Sequence, residues 1–276
     1  MKKTFLTIFS IFTIFLISLI FVGCETNNKK EEKPGEQKKE RLVMGLEMNV
    51  NPLGYVDEEG KLTGFEVEMA KEVCDKLGKE LVFKSIAWED KENELNVGNV
   101  DFIWNGLTYT KDRAEKMELS KAYMDVSQIV VFNKSINAEK LEDLKDKSFC
   151  VQQSATSYDT LQQSSIFNDL KTAVRLNNVN ECFDAVRKNE YSAAVVDDIM
   201  YKKHVSGSGL ENDFKTLKEP LFTGNYVIGF KKGNVELKNK FEEALQSLID
   251  SKKAEEISKK WFGENLVYLK DVEKEK

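Results

Sequence analysis

Arg113 is the side chain in this sequence best suited to gripping a carboxylate. It follows closely on Asn105-Gly106-Leu107-Thr108, and its planar guanidinium offers two parallel N–H donors where a lysine offers only a point charge. Val100 to Trp104 reads as a buried strand that delivers Asn105–Thr108 to a sheet edge, and ligands of open α/β sheets gather at the carboxyl ends of strands. A second apolar strand, Ala193-Ala194-Val195-Val196, ends on Asp197-Asp198, so Asp197 brings a carboxylate to a sheet edge while Asp198 begins the next short helix as a cap. Ser154-Ala155-Thr156 precedes a helix whose unpaired N–H groups and dipole favour an anion. Each feature has a plain structural alternative: a surface arginine near a helix start, an ordinary N-cap at Thr156, and a metal site at the paired aspartates. The metal reading lacks the oxygen-rich loop that a hard cation needs. His204 is the only histidine, which removes His-based triads, zinc sites with several imidazoles and most general-base schemes near neutral pH. No metal and no cofactor is expected.

These residues need a scaffold, and the chain supplies alternating strand and helix signals, the pattern of an α/β protein with mainly parallel sheets. Leu42 to Leu46 reads as a strand. Leu62 to Leu77 contains a helix with Phe65, Met69, Ala70, Val73, Cys74 and Leu77 on one face and Gly78 as its stop. Leu81 to Ile86 is a strand and Asp90 to Val97 a short helix. The pattern then restarts as a second lobe: strands over Ser148 to Gln153, Ala173 to Leu176 and Ala193 to Val196, with helices over Thr156 to Gln163 and Asn180 to Arg187. Beyond Pro220 a strand is expected over Tyr226 to Phe230, then an amphipathic helix carrying Leu237, Phe241, Leu245 and Leu248, and a closing helix with Trp261 and Phe262.

The chain is 41% hydrophobic and 32% charged, which suits one large or two modest cores. With 47 acidic against 41 basic residues spread along it, there is no electrostatic footprint for nucleic acid. The N-terminus reads differently. Met1-Lys2-Lys3, the apolar stretch Phe5 to Val22 and then Gly23-Cys24 form an export signal over residues 1–23, the alternative being a permanent transmembrane helix. The small residue before Cys24 and the polar tract behind it resemble a bacterial lipoprotein signal, with Phe21 standing where an aliphatic residue is usual. Cys24 is then the lipidation site, and residues 24–41 form a solvated, disordered tether too polar to bury a core. Cys74, Cys150 and Cys182 remain, an odd number that argues against a full disulfide framework. A Cys150–Cys182 bridge and buried free thiols are both open.

Three segments carry a family resemblance: Gly64-Phe65-Glu66-Val67-Glu68-Met69-Ala70; Leu95-Asn96-Val97-Gly98-Asn99-Val100-Asp101 running on to Thr108-Tyr109-Thr110-Lys111-Asp112-Arg113; and Trp261-Phe262-Gly263. In this order and spacing they resemble the polar amino-acid-binding receptors of solute-binding family 3, over about Leu42 to Asn265. The resemblance implies a two-lobe periplasmic-binding-protein-like fold of type II, each lobe a mainly parallel sheet flanked by helices. Residues 42–126 with 224–276 would form lobe 1 and residues 127–223 lobe 2, joined by two hinge strands near Ser127 and Thr223 that let the lobes close on a ligand.

It further implies a monomeric binding protein without catalysis, lipid-anchored on the extracytoplasmic face of the cell membrane, that hands a polar amino acid to an ABC permease. Arg113 would hold the ligand's α-carboxylate with Thr108 and Thr156. Asp197 and a Gly106 carbonyl would take the ammonium. Glu47, where relatives usually carry Asp, Trp88, where they often carry an aromatic lid, and Asn105 would meet the ligand's side chain. A packed core role for Trp88 and a solvated one for Glu47 stay open. Ser154 replaces a glycine that many relatives have. The alternatives are a dehydratase on the same frame, with Glu47 as its acid or base, and a sensory ectodomain.

Overall fold

The computed structural model describes residues 40–206 and 208–272. The export signal, Cys24 and nearly all of the expected tether lie outside the described residues.

Alternating and continuous apolar runs become two mixed sheets, beside which three short strands within residues 49–63 form a small antiparallel sheet of their own. The first half of the chain folds as β1 (Arg41–Leu46), β2 (Asn49–Val50), β3 (Gly54–Val56), β4 (Leu62–Thr63), α1 (Phe65–Lys76), β5 (Glu80–Ser85), α2 (Lys91–Asn96), β6 (Phe102–Ile103), α3 (Lys111–Lys116) and β7 (Met117–Leu119). The second sheet begins with β8 (Met124–Asn133) and continues through β9 (Ser148–Gln152), α4 (Thr156–Gln162), β10 (Thr172–Leu176), α5 (Val179–Arg187), β11 (Ala193–Asp197), α6 (Asp198–Val205), β12 (Phe214–Thr216) and β13 (Phe222–Tyr226). The chain then returns through β14 (Gly229–Lys231) to α7 (Val235–Asp250) and α8 (Lys253–Phe262).

The first sheet has the order β5-β1-β6-β14-β7, and the second β10-β9-β11-β8-β12 with β13 also paired to β8. Parallel pairing is confined to β5-β1-β6 and β10-β9-β11; the strands added beside each trio run antiparallel. β1 lies between two neighbours; Leu42, Met44 and Leu46, on one face, are buried in one core, and Val43, on the other face, packs against the cluster of Ile86, Leu95 and Ile103. Helix α1 packs Phe65, Val67, Met69 and Val73 into the same core, where Phe102 meets Phe241 of α7 at 4.7 Å between ring centroids. In the second sheet Val130, Phe132, Phe149, Val151 and Val195 form one apolar face against Leu161 and Ile166.

Two expectations need correction. The run Tyr226 to Phe230 is not one strand: β13 ends at Tyr226 and β14 begins at Gly229. At Val227 and Ile228 the chain leaves the second sheet for the first, with the Val227 amide on the Leu107 carbonyl (2.9 Å) and the Ile228 amide on the Ser120 hydroxyl (2.8 Å). A run buried throughout shows no break in its hydrophobic pattern when it changes partners. Asp198, expected as a helix cap, is the first residue of α6; its carboxylate meets Lys202 at 2.9 Å and the Ser127 amide at 3.4 Å, and the cap position belongs to Asp197.

The passage between sheets is made by β8 and β13, which run antiparallel with Ser127 directly opposite Thr223. Cys74, Cys150 and Cys182 are buried and unbridged, with the Cys150 thiol 3.8 Å from the Cys182 carbonyl. Among the described residues no helix is long and apolar enough to cross a membrane.

Candidate functional site

The segment after β6 is built to hold Arg113. Gly106 sits at φ 66°, a conformation that favours glycine, and a Cβ there would come within 2.8 Å of Leu53. The Thr110 hydroxyl then accepts the Arg113 amide at 3.1 Å and caps α3, so Arg113 lies in the first helical turn. Its side chain folds back, donating from Nη1 to the Thr108 carbonyl at 2.7 Å and from Nη2 to the Ser154 carbonyl at 3.4 Å. Arg113 is 5% exposed. Burial lowers its pKa to about 10, which still leaves it protonated at neutral pH. Its direct hydrogen bonds go to carbonyls, so a bound carboxylate would add the anion that this buried cation lacks among them.

The facing wall comes from the second sheet. Asp197 ends β11, and burial pushes its carboxyl up to about 6, offset in part by hydrogen bonds from the Tyr226 hydroxyl and from Gln128 Nε2 at 3.2 Å. The same Gln128 nitrogen donates to the Thr156 hydroxyl at 2.7 Å, while its oxygen accepts from Thr160 at 2.6 Å. Gln128 therefore ties Thr156 to Asp197. α4 spans only Thr156–Gln162, so any anion there would be met by individual amides and the Thr156 hydroxyl more than by a helix dipole.

At the other end of the cleft the Glu47 amide donates to the Asn105 side chain at 2.9 Å, and the Glu47 carboxylate accepts from Gln152 of the facing wall at 2.6 Å. Burial raises the Glu47 pKa. Trp88 is buried and serves two surfaces at once, lining the cleft and packing in the cluster of Ile86, Leu95 and Ile103. Lys91 lies over its ring at 5.0 Å and donates to its carbonyl at 3.1 Å; burial, with Arg113 nearby, lowers the Lys91 pKa to about 8.

All eight residues expected at a ligand, Glu47, Trp88, Asn105, Gly106, Thr108, Arg113, Thr156 and Asp197, line one cleft that is partly open to solvent. The Gly106 amide is turned away from it, onto Glu66. Sequence reasoning missed Gln128, Tyr226, Lys91 and Glu66. A glutamine inside the apolar run Val126 to Phe132 was a readable signal; Tyr226 passes for core because its ring is core and only its hydroxyl reaches Asp197. Among the described residues no group of three or more His, Cys, Asp or Glu could hold a metal ion.

Ser154, where a glycine was the usual residue, keeps a left-handed φ of 56°. Ser154→Gly is expected to stabilise the protein by up to roughly 1 kcal/mol, because an L-residue pays about that in this region. Urea unfolding checks this, and a lower midpoint for the variant would contradict it.

A family model described as bacterial extracellular solute-binding proteins, family 3, matches residues 42–264. The L-cystine-binding protein TcyA of Bacillus subtilis is 28% identical over 276 residues, covering 96% of this chain and 99% of the relative. The arginine-binding extracellular protein ArtP of Bacillus subtilis is 26% identical over 246 residues, covering 89% and 94%. Among solved structures, an ABC uptake transporter substrate-binding protein from Streptococcus pneumoniae with bound histidine has a TM-score of 0.79 at 28% identity, covering 82% of this chain and 94% of that one.

Proposed function

We infer that this chain, which belongs to the bacterial extracellular solute-binding proteins of family 3, is the substrate-binding component of an ABC importer and takes a free polar amino acid in its cleft. The observation that carries this reading is the pairing of a buried guanidinium, Arg113, with a half-buried carboxyl, Asp197, on the walls of one cleft. A zwitterion answers both: its α-carboxylate takes the fork of Arg113 with Thr108 and Thr156, and its ammonium takes Asp197. Glu47, Gln152 and Asn105 give the side-chain end polar partners, with Trp88 as its flat wall. Relatives named for arginine, cystine, histidine and glutamine support a polar amino acid as ligand.

Closure turns on the paired strands β8 and β13 at Ser127 and Thr223, with residues 42–126 and 224–276 moving against 127–223. The protein acts as a monomer, held at the extracytoplasmic face by a lipid on Cys24. It binds without catalysis. Glu47 lines the side-chain end, and its hydrogen bond from Gln152 suits recognition.

A thermal-shift screen of the purified protein against the common amino acids and cystine tests the reading, since a ligand bound only by the folded state raises its melting temperature. At least one polar amino acid is expected to raise it by several degrees. If none does, the amino-acid reading falls.

A further inference from the structure

The Arg113 wall of the cleft stands on a fully buried acid that does not itself line the cleft. Glu66, the second residue of α1, has no exposed surface. Both of its carboxyl oxygens lie within hydrogen-bonding distance of the Gly106 amide, at 3.1 and 2.9 Å, and Tyr123 bonds to the same carboxyl. No ion pair reaches Glu66 among the described residues. A glutamate in a first helical turn serves the helix dipole equally well from the surface, so burial without a cation, which is costly, calls for another explanation.

That explanation lies in the peptide it holds. The Asn105–Gly106 bond is trans and planar, so seating its N–H on Glu66 turns the Asn105 carbonyl to the side away from α1. Gly106 is free of a side chain and at φ 66°, so nothing of its own fixes this orientation. The segment it begins leads to Thr108, whose carbonyl accepts from Arg113.

We propose that Glu66 is a positioning residue of the cleft, clamping the Gly106 amide from behind and so setting the conformation of the Asn105–Thr108 wall against which the ligand is held. The proposal rests on the reading of this cleft as the ligand site. The titratable groups facing Glu66 are Tyr123, from the segment before β8, and Tyr226, from β13; both are phenols whose pKa burial raises well above the usual value, so both stay neutral. Burial pushes Glu66 itself up to about 8. Near pH 6 the neutral acid donates its O–H to Tyr123 and accepts the Gly106 amide. Once ionised it accepts from both.

The Gly106 amide resonance, followed by NMR from pH 5 to 11 in the ligand-free protein, reports the clamp without any ligand. It is expected to titrate with a midpoint near 8 in the wild type and to stay flat in Glu66→Gln, which keeps an acceptor for Gly106 and a donor for Tyr123 but cannot ionise. A wild-type Gly106 amide that does not titrate overturns the proposal. Calorimetry with L-arginine, L-histidine, L-glutamine and L-cystine adds the functional arm. For any of these that binds the wild type, Glu66→Gln is expected to stay within threefold, while Glu66→Leu, if folded, loses at least tenfold. Affinity within threefold in a folded Glu66→Leu also overturns the proposal. If none of the four binds the wild type, the NMR result still decides the role of Glu66, and the ligand reading fails separately.

Discussion

Replacing Arg113 with alanine is expected to weaken binding of the cognate amino acid by at least a hundredfold. The guanidinium is 5% exposed and protonated at neutral pH. A carboxylate brought into this cleft loses its water, and among the described residues lining the cleft no cation other than Arg113 replaces that hydration. Leaving one partner of a buried charge pair alone costs roughly 3–5 kcal/mol, about two to three and a half powers of ten in dissociation constant. Arg113→Lys is expected to recover only part of the loss, because a point charge cannot hold both carboxylate oxygens and the Thr108 carbonyl in one plane. Calorimetry on the amino acid found by the thermal screen measures both variants. A change under threefold for Arg113→Ala would remove Arg113 from the site.

Asp197→Asn is expected to have a comparable effect on affinity and the opposite effect on the stability of the ligand-free protein. The sign follows from burial. The folded carboxyl titrates at about 6 against an ordinary value of 3.8. Below about pH 4 folded and unfolded forms both hold the proton and nothing is lost. As pH rises from there to 6 the unfolded chain ionises while the folded one resists, so stability falls, and the whole cost is present above pH 6. At about 1.4 kcal/mol per unit this amounts to at most roughly 3 kcal/mol. The Asp197→Asn substitution removes that cost, so the ligand-free variant should melt higher than wild type at pH 7.5 and about equally at pH 4. Binding shows the other face of the same group, because a proton on Asp197 competes with the ligand's ammonium. Wild-type affinity is expected to drop about tenfold between pH 7.5 and 5, since one unit below its pKa a carboxyl is about nine-tenths protonated. Glu47 is also raised by burial and lines the same cleft, so the variant assigns the effect: in Asp197→Asn the profile should flatten, and a desamino analogue should lose less than the amino acid does. A pH profile unchanged by the substitution would place the ammonium elsewhere.

That Asp197 reaches the cleft was legible because it ends an apolar strand, which points to a sheet edge; Arg113 by itself read as a surface arginine, and the family resemblance of Thr108 to Arg113 singled it out. The paired positions Ser127 and Thr223 were legible only through the family resemblance, and the β-ladder places them opposite each other. What the sequence hid shares one cause. Tyr226 and Glu66 act from inside segments whose apolar neighbours read as core, and a single polar group within such a segment carries no period of its own; only Gln128, an amide within an apolar run, stood out enough to be read. The split of Tyr226–Phe230 was hidden for the same reason. The β2-β3-β4 hairpin sheet escaped because its strands are two or three residues long, too short for any alternation to register.

A crystal structure of the protein with its amino acid bound tests the central claim most directly. The α-carboxylate is expected on the Arg113 guanidinium and the Thr156 hydroxyl, with the ammonium on Asp197 and the side chain running toward Glu47 and Trp88. A ligand bound in the reverse sense, with its carboxylate away from Arg113, or bound outside this cleft, would contradict the account.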